Sequence, residues 1–242
     1  MNPYILAVIP ARGGSKSVPR KNIKPLGGVP LLAHMLRSAL ASSSLSRVVV
    51  SSEDEEVLDI AASLGGREVA LRRPVELALD TTPDVPMLQH ATSEIEREMG
   101  RAVDYVVQLH ATTPFLTAAD IDEALEMLVA RREADSIVSV YEVRDFHPVK
   151  MKRVRADGFL EQYVSGTEEL TTSRRQDFES VYKRNGGLYA ARRSVVMELG
   201  RVWGEKVLPY IMPHERSVDI NSATDFLVAE AIYRSLKERG EL

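Results

Sequence analysis

Two hydrophobic rhythms alternate along the first two thirds of this chain. Short runs that are apolar almost throughout are separated by longer stretches in which apolar residues return every three or four positions. The runs predict strands at Tyr4–Ile9, Ser46–Ser52, Arg67–Leu71, Asp104–His110 and Asp135–Val143. The periodic stretches predict helices at Pro30–Ser42, Asp54–Gly65, Asp84–Met99 and Thr117–Arg132. Their ends carry the expected punctuation: proline in a first turn, acids after Asp54, and glycine at a stop. Further on, Asn185–Arg193 reads as a turn and strand, Val207–Pro213 as a strand, and Ser222–Gly240 as a closing helix with Ser222 as its N-cap.

Strand–helix alternation makes parallel sheets, because each crossover helix covers a sheet face. Strands that are apolar on both sides agree with burial between two helical layers. The pattern therefore predicts a three-layer, doubly wound α/β fold with a mostly parallel sheet, in one domain spanning residues 1–242. Ligands in such folds sit at the carboxyl ends of strands. That places the loop from Ala11 to Asn22, the run "LHATTP" and the segment after Val143 along one rim. From about Tyr141 to Tyr182 the periodicity dissolves, which marks a functional segment or an interaction arm. Within it, Asp157-Gly158 centres a small hairpin.

Composition narrows the classes. A hydrophobic fraction of 44% and a charged fraction of 27% are those of a globular chain. The net charge of −4 argues against general affinity for nucleic acid. The absence of cysteine excludes disulfides, thiolate metal sites and cysteine nucleophiles, and fits a reducing cytoplasm. No apolar segment reaches the ~18 residues of a membrane span, and the first residues lack a signal-peptide pattern. A soluble, intracellular protein is expected.

Against this acidic background the stretch "VIPARGGSKSVPRKNIKPLGG" stands out, with five basic residues, four glycines and no acid. Backbone N–H groups in a glycine-rich turn suit phosphate oxygens, and Arg12, Lys16, Arg20 and Lys21 can add charge-assisted bonds. The spacing matches neither GxxxxGK[ST] nor GxGxxG. On charge and glycine alone, a phosphate cradle and an exposed basic loop remain equal readings.

The order of residues decides between them. "IPARGGSKSVPRKNIKPLGGVPLLAH" resembles the signature of the acylneuraminate (nonulosonic acid) cytidylyltransferases, and "LRRPVELALDTT", "LHATTPF", "RRQDFESVYKRNGGLY" and "SVDINSATDFLVAE" continue the likeness in order. The resemblance implies a nucleotide-diphospho-sugar transferase-like fold with a dimerisation arm at about 141–182. It implies transfer of CMP from CTP to the anomeric hydroxyl of a nonulosonic acid, with release of pyrophosphate and with Mg²⁺ as cofactor. It further implies a homodimer. A 3-deoxy-manno-octulosonate cytidylyltransferase and a non-catalytic CTP-binding paralogue remain alternatives, and the particular nonulosonic acid stays open.

Residue by residue, the resemblance assigns Ala11, Arg12, Gly13, Gly14, Ser15, Lys16, Lys21 and Asn22 to the nucleotide, with Arg73, Asp80 and Thr81 beside it. Arg12, Lys21 and Asp219 carry the catalytic assignments. His110, Thr112, His147, Arg175, Gln176, Lys183 and Asn185 fall on the sugar side. Many relatives have a glutamine–proline pair where this chain has His110 and Ala111, and many offer D-I-D where it has Asp219-Ile220-Asn221. Asp219 and Asn221 are thus the implied metal ligands, with one carboxylate fewer than usual.

Overall fold

The computed structural model describes residues 3–15, 18–143, 146–164 and 179–241. Its centre is a seven-stranded sheet whose outer parts are parallel. β1 (Ile5–Pro10) lies between β4 (Arg47–Ser52) and β6 (Tyr105–Leu109), and β5 (Ala70–Arg72) forms one edge beside β4. On the other side, β10 (Tyr182–Arg192) runs antiparallel between β6 and β7 (Ser136–Glu142), and β11 (Val207–Ile211) is the far edge, parallel to β7. The doubly wound, mostly parallel fold predicted by the alternation is present.

Successive strand residues point to opposite faces, and both faces are covered. Ile5, Ala7 and Ile9 pack with Leu32, Met35, Val57 and Leu125 from α1 (Leu31–Ala41), α2 (Glu55–Gly65) and α4 (Ala118–Ala130). Leu6 and Val8 pack with Met87, Leu88 and Ala91 of α3 (Asp84–Met99) and with Val195 and Val196 of the short α5 (Arg193–Met197). A third cluster joins Phe226 and Ala229 of α6 (Ala223–Glu238) to Val18, Leu26 and Phe115. The helix caps follow the sequence. Asp54 accepts from Val57 N–H, and Thr117 and Ser222 each form a reciprocal capping box with Asp120 and Asp225.

Some expectations are corrected. Arg67–Val69 is a turn of 3-10 helix that follows the positive-φ Gly66, so the short strand begins only at Ala70. Two paired dipeptides, β2 (Pro25–Leu26) and β3 (Val29–Pro30), close over Gly27 and Gly28, both at positive φ. Gly27 is enforced twice, since a Cβ there would meet the Tyr233 ring at 2.0 Å. The N-G pair near 185 is not a turn before a strand. β10 begins at Tyr182, and the register slips between Arg184 and Tyr189, so Asn185–Leu188 form a bulge inside it. The expected hairpin is present as β8 (Lys152–Val154) and β9 (Leu160–Gln162), paired around Gly158.

Candidate active site

The carboxyl ends of β1, β4, β5 and β6 surround a cleft of about 300 Å³ on the face carrying α3. Arg12, Lys21, Asn22, Arg73, Asp80, His110 and Thr112 all line it. Sequence reasoning did not single out Leu77, Leu79, Asp84 and Met87, which complete the wall. Asp84 opens α3, where an acid also suits the helix dipole, so no local signal separates the two roles.

The opening loop is shaped by hydrogen bonds that a linear reading does not contain. Asn22 is buried, and its side chain donates to Arg12 O at 2.9 Å, which binds the two ends of the loop together. Arg12 itself forms an ion pair with Asp80 across the cleft mouth. Asp80 therefore stands beside Arg12, and Thr82 rather than Thr81 lines the cleft. Arg20 is turned away, paired with Asp54 and Glu56 at the start of α2. Its backbone has φ 54°, a conformation rare outside glycine. Gly13 does not offer its N–H to the cleft, since Glu53 Oε1 accepts it at 2.8 Å. Ala11 is buried, with its N–H bonded to Ser51 O at the end of the strand. Gly14 has open space around it, and Ser15 is half-buried outside the cleft lining. Lys16, Arg175 and Gln176 lie outside the described residues.

Lys21 reaches across to the other end of the chain. Its Nζ donates to Ile220 O at 2.8 Å, between the two residues assigned to the metal. Burial pushes its ammonium below the ordinary lysine value, and the nearby Asp219 carboxylate partly offsets this. Asp219 lies against the bulge: a Cβ on Gly186, whose φ is +79°, would stand 3.3 Å from Asp219 Oδ2. Asn221 donates through Nδ2 to Asp219 Oδ2 at 2.7 Å. In this arrangement its amide nitrogen aims the Asp219 carboxylate. Among the described residues no group of three or more His, Cys, Asp or Glu side chains is placed to hold a metal. One carboxylate with an adjacent amide is nonetheless a hard-oxygen set that fits Mg²⁺ when phosphate oxygens supply the remaining contacts.

The segment carrying Asp219 is anchored from behind. Arg216 pairs with the buried Asp120 of α4, whose carboxylate also accepts from Thr117 and from Tyr210 Oη at 2.9 Å. Burial alone would raise the Asp120 carboxyl; Arg216 and Thr117 outweigh it and hold the group below the usual carboxylate value. Ile220 N–H donates to Thr112 O at 2.9 Å, which brings the segment to the end of β6.

The residues expected on the sugar side divide. Thr112 and His110 face the cleft. The His110 Nε2 is buried without a hydrogen-bond partner among the described residues, and burial pushes its pKa down, so the ring is neutral near pH 7. Its ring leans on Tyr189 with centroids 5.8 Å apart, and Tyr189 stacks on Trp203. Asn185 is 2% exposed and builds the bulge instead of facing solvent. Its Oδ1 accepts from Ser139 and from Gly187 N–H, and its Nδ2 donates to Ser217 Oγ. His147 is likewise buried. Nδ1 accepts from Val149 N–H, so Nε2 carries the proton and donates to Glu179 O at 3.0 Å. Lys183 is exposed on β10 and does not line the cleft.

A cation-rich glycine loop on β1, facing an acid-bearing segment at the same rim of a doubly wound sheet, defines an α/β nucleotide-binding protein of the nucleotidyltransferase kind. The chain belongs to the Cytidylyltransferase family, whose pattern matches residues 6–234. It is 34% identical over 227 residues to N-acylneuraminate cytidylyltransferase A of Danio rerio, covering 94% of this chain and 50% of that protein. The chain thus spans about half the length of that relative. It is 31% identical over 235 residues to the CMP-N,N'-diacetyllegionaminic acid synthase of Legionella pneumophila, covering 94% of this chain and 95% of that one. Among solved structures, a CMP:2-keto-3-deoxy-manno-octonic acid synthetase complexed with CTP superposes with a TM-score of 0.68 at 16% identity, covering 96% of this chain and 99% of that one. That likeness establishes the fold alone.

Proposed function

We propose that the protein transfers CMP from CTP to the anomeric hydroxyl of a nonulosonic acid and releases pyrophosphate. The observation that carries this reading is the contact of Lys21 with the segment bearing Asp219, at the mouth of a cleft that also gathers Arg12 and Arg73. Relatives that match over nearly their whole length support the sugar class: pseudaminic acid cytidylyltransferase of Campylobacter jejuni is 28% identical over 229 residues.

In this reading Arg12 and Lys21 neutralise the triphosphate and the departing pyrophosphate, where preorganised cations lower the barrier most. Asp219, aimed by Asn221, holds Mg²⁺ together with phosphate oxygens of CTP. An ion held there would supply Lewis-acid polarisation of the α-phosphate. The attacking hydroxyl belongs on the His110 and Thr112 side of the cleft. The sugar carboxylate falls to Arg175, within the 141–182 region, and to Lys183, which directly follows that region. A homodimer fits the hairpin β8–β9, whose Phe159, Leu160 and Val154 are each about 70% exposed and would be covered by a second copy. A cytoplasmic location is consistent with this reading and with the absence of cysteine.

The test is pyrophosphate release with each of the four nucleoside triphosphates against a panel of nonulosonic acids and 3-deoxy-manno-octulosonate, with and without Mg²⁺. Release with CTP and one nonulosonic acid, dependent on Mg²⁺, is the expected result. Release only with octulosonate would replace the substrate class. CTP binding with no release for any sugar acid would replace the enzyme reading with that of a non-catalytic CTP-binding protein.

A further inference from the structure

Glu53 follows directly on β4 and carries no expectation from the sequence, where it reads as one of several acids at the start of α2. Its carboxylate nonetheless joins the loops after three neighbouring strands. Oε1 accepts the Gly13 N–H from the loop after β1 at 2.8 Å. Oε2 accepts both Nε and Nη2 of Arg73, which follows β5, at 3.3 and 3.1 Å. Arg73 is 5% exposed, so its guanidinium has left water and needs a charged partner. Among the described residues Glu53 is the carboxylate bonded to it.

Each side of this junction is geometrically committed. Gly13 approaches so closely that a Cβ on it would lie 2.2 Å from Asp54 Oδ2, so the loop can sit against the head of α2 only as glycine. Arg73 N–H is bonded to Ser52 O at 3.0 Å, which fixes its backbone to the end of β4. With Nε and one Nη2 hydrogen taken by Glu53, the Nη1 amino group has no protein partner among the described residues, on a side chain that lines the cleft. The carboxylate therefore clamps one edge of the guanidinium and leaves the other edge for a ligand acceptor.

We infer that Glu53 is a positioning residue for CTP. It acts through Arg73, and the Gly13 N–H ties it to the phosphate loop so that loop and arginine keep one spacing. This rests on the nucleotide reading of the cleft. Glu53 touches no reacting atom, so its loss weakens nucleotide binding without changing the chemical step or the sugar site.

The experiment compares wild-type protein with Glu53→Gln, Arg73→Ala and the double variant, each as the full chain. CTP affinity is measured by calorimetry, and steady-state constants with both substrates. Gln keeps the size and can still accept from Gly13, but it sets an amino group against the donors of Arg73. The expected result is a rise of about tenfold in both Kd and KM for CTP, the scale of losing hydrogen bonds to a charged group. The sugar KM and kcat stay within about threefold, and the double variant binds CTP no worse than Arg73→Ala, within about twofold, as required if one residue works through the other. Unchanged CTP affinity in Glu53→Gln overturns the inference. So do additive losses in the double variant, or an equal rise in both KM values. If Glu53→Gln melts too low to assay, Glu53→Asp keeps the charge but withdraws it by one methylene, and the same CTP-specific loss is required of it. Wild-type protein that binds no CTP removes the nucleotide reading itself, whereas wild-type binding with an unaffected variant removes only Glu53.

Discussion

Replacing Lys21 with alanine tests the centre of the proposed mechanism, and the structure sets the size of the effect. The ammonium is half-buried, bonded to Ile220 O at 2.8 Å, and within electrostatic reach of Asp219 and Arg12. A cation held in that way needs no reorganisation when negative charge develops on departing pyrophosphate. Removing one such preorganised group typically lowers kcat by about 10²–10³-fold, or about 3–4 kcal/mol of transition-state stabilisation. Two side effects must be kept apart from that loss. The Ile220 carbonyl loses its donor, which costs about 1–2 kcal/mol of stability. This is a fraction of the 5–15 kcal/mol by which domains are typically stable, so the fold survives. CTP also loses a ground-state contact, which appears in KM. The assay is therefore pyrophosphate release under saturating CTP, with Lys21→Met, which retains part of the stem, beside Lys21→Ala and a melting curve for each. A kcat within about threefold of wild type in a folded variant would refute the assignment of this loop to the leaving group.

Other perturbations reach different parts of the site. Arg216→Ala leaves the buried Asp120 carboxylate unpaired and should remove about 3 kcal/mol from urea-unfolding stability; a loss below about 1 kcal/mol would mean that Thr117 and Tyr210 suffice. Burial alone would raise the Asp122 carboxyl, but hydrogen bonds from Ser42, Ser43 and Ser44 hold it at about 2 against an ordinary 3.8. Its folded value is depressed, so its contribution is complete above pH 3.8 and is lost as pH falls toward about 2. Asp122→Asn should melt lower at neutral pH and show a flatter decline in that acid window, and an unchanged acid profile would contradict this. Gly186→Ala forces a side chain onto φ +79° and toward Asp219, so activity should fall together with about 1–2 kcal/mol of stability; full activity would detach the bulge from the site.

How much of this was legible in the sequence depends on whether the signal was local. Strands and helices that bury one stripe or two faces announce themselves by spacing, and α3 begins and ends at the residues the periodicity marks. The bulge in β10 is different. Asn-Gly-Gly read alone is a turn, and only the registers with β6 and β7 make it an interruption of one strand. Asn185 and His147 carried a functional resemblance, yet their polar atoms are occupied by Ser139, Ser217, Val149 and Glu179, residues distant enough in sequence or plain enough in type to give no warning. Glu53 was invisible for the converse reason. An acid at the head of a helix already has an explanation in the dipole, and its partners lie 40 and 20 residues away.

The basic loop in an acidic chain now has a physical account, and it separates its cations by exchangeability. Arg20 points away from the cleft toward two acids at the start of α2. Arg73, on the loop after β5, is held along one edge of its buried guanidinium by Glu53 and lines the cleft. The Arg12–Asp80 pair differs, since both side chains are more than a third exposed and stand at the mouth. Such exposed pairs are worth at most about 1 kcal/mol. A triphosphate, with several charges and ideal acceptors, outcompetes that single carboxylate at little cost. The buried Arg73–Glu53 pair cannot be opened on the same terms, because parting it strands two desolvated charges. The incoming nucleotide is therefore expected to draw Arg12 from Asp80 while leaving Arg73 on Glu53, so one arginine is released on binding and the other is already in place.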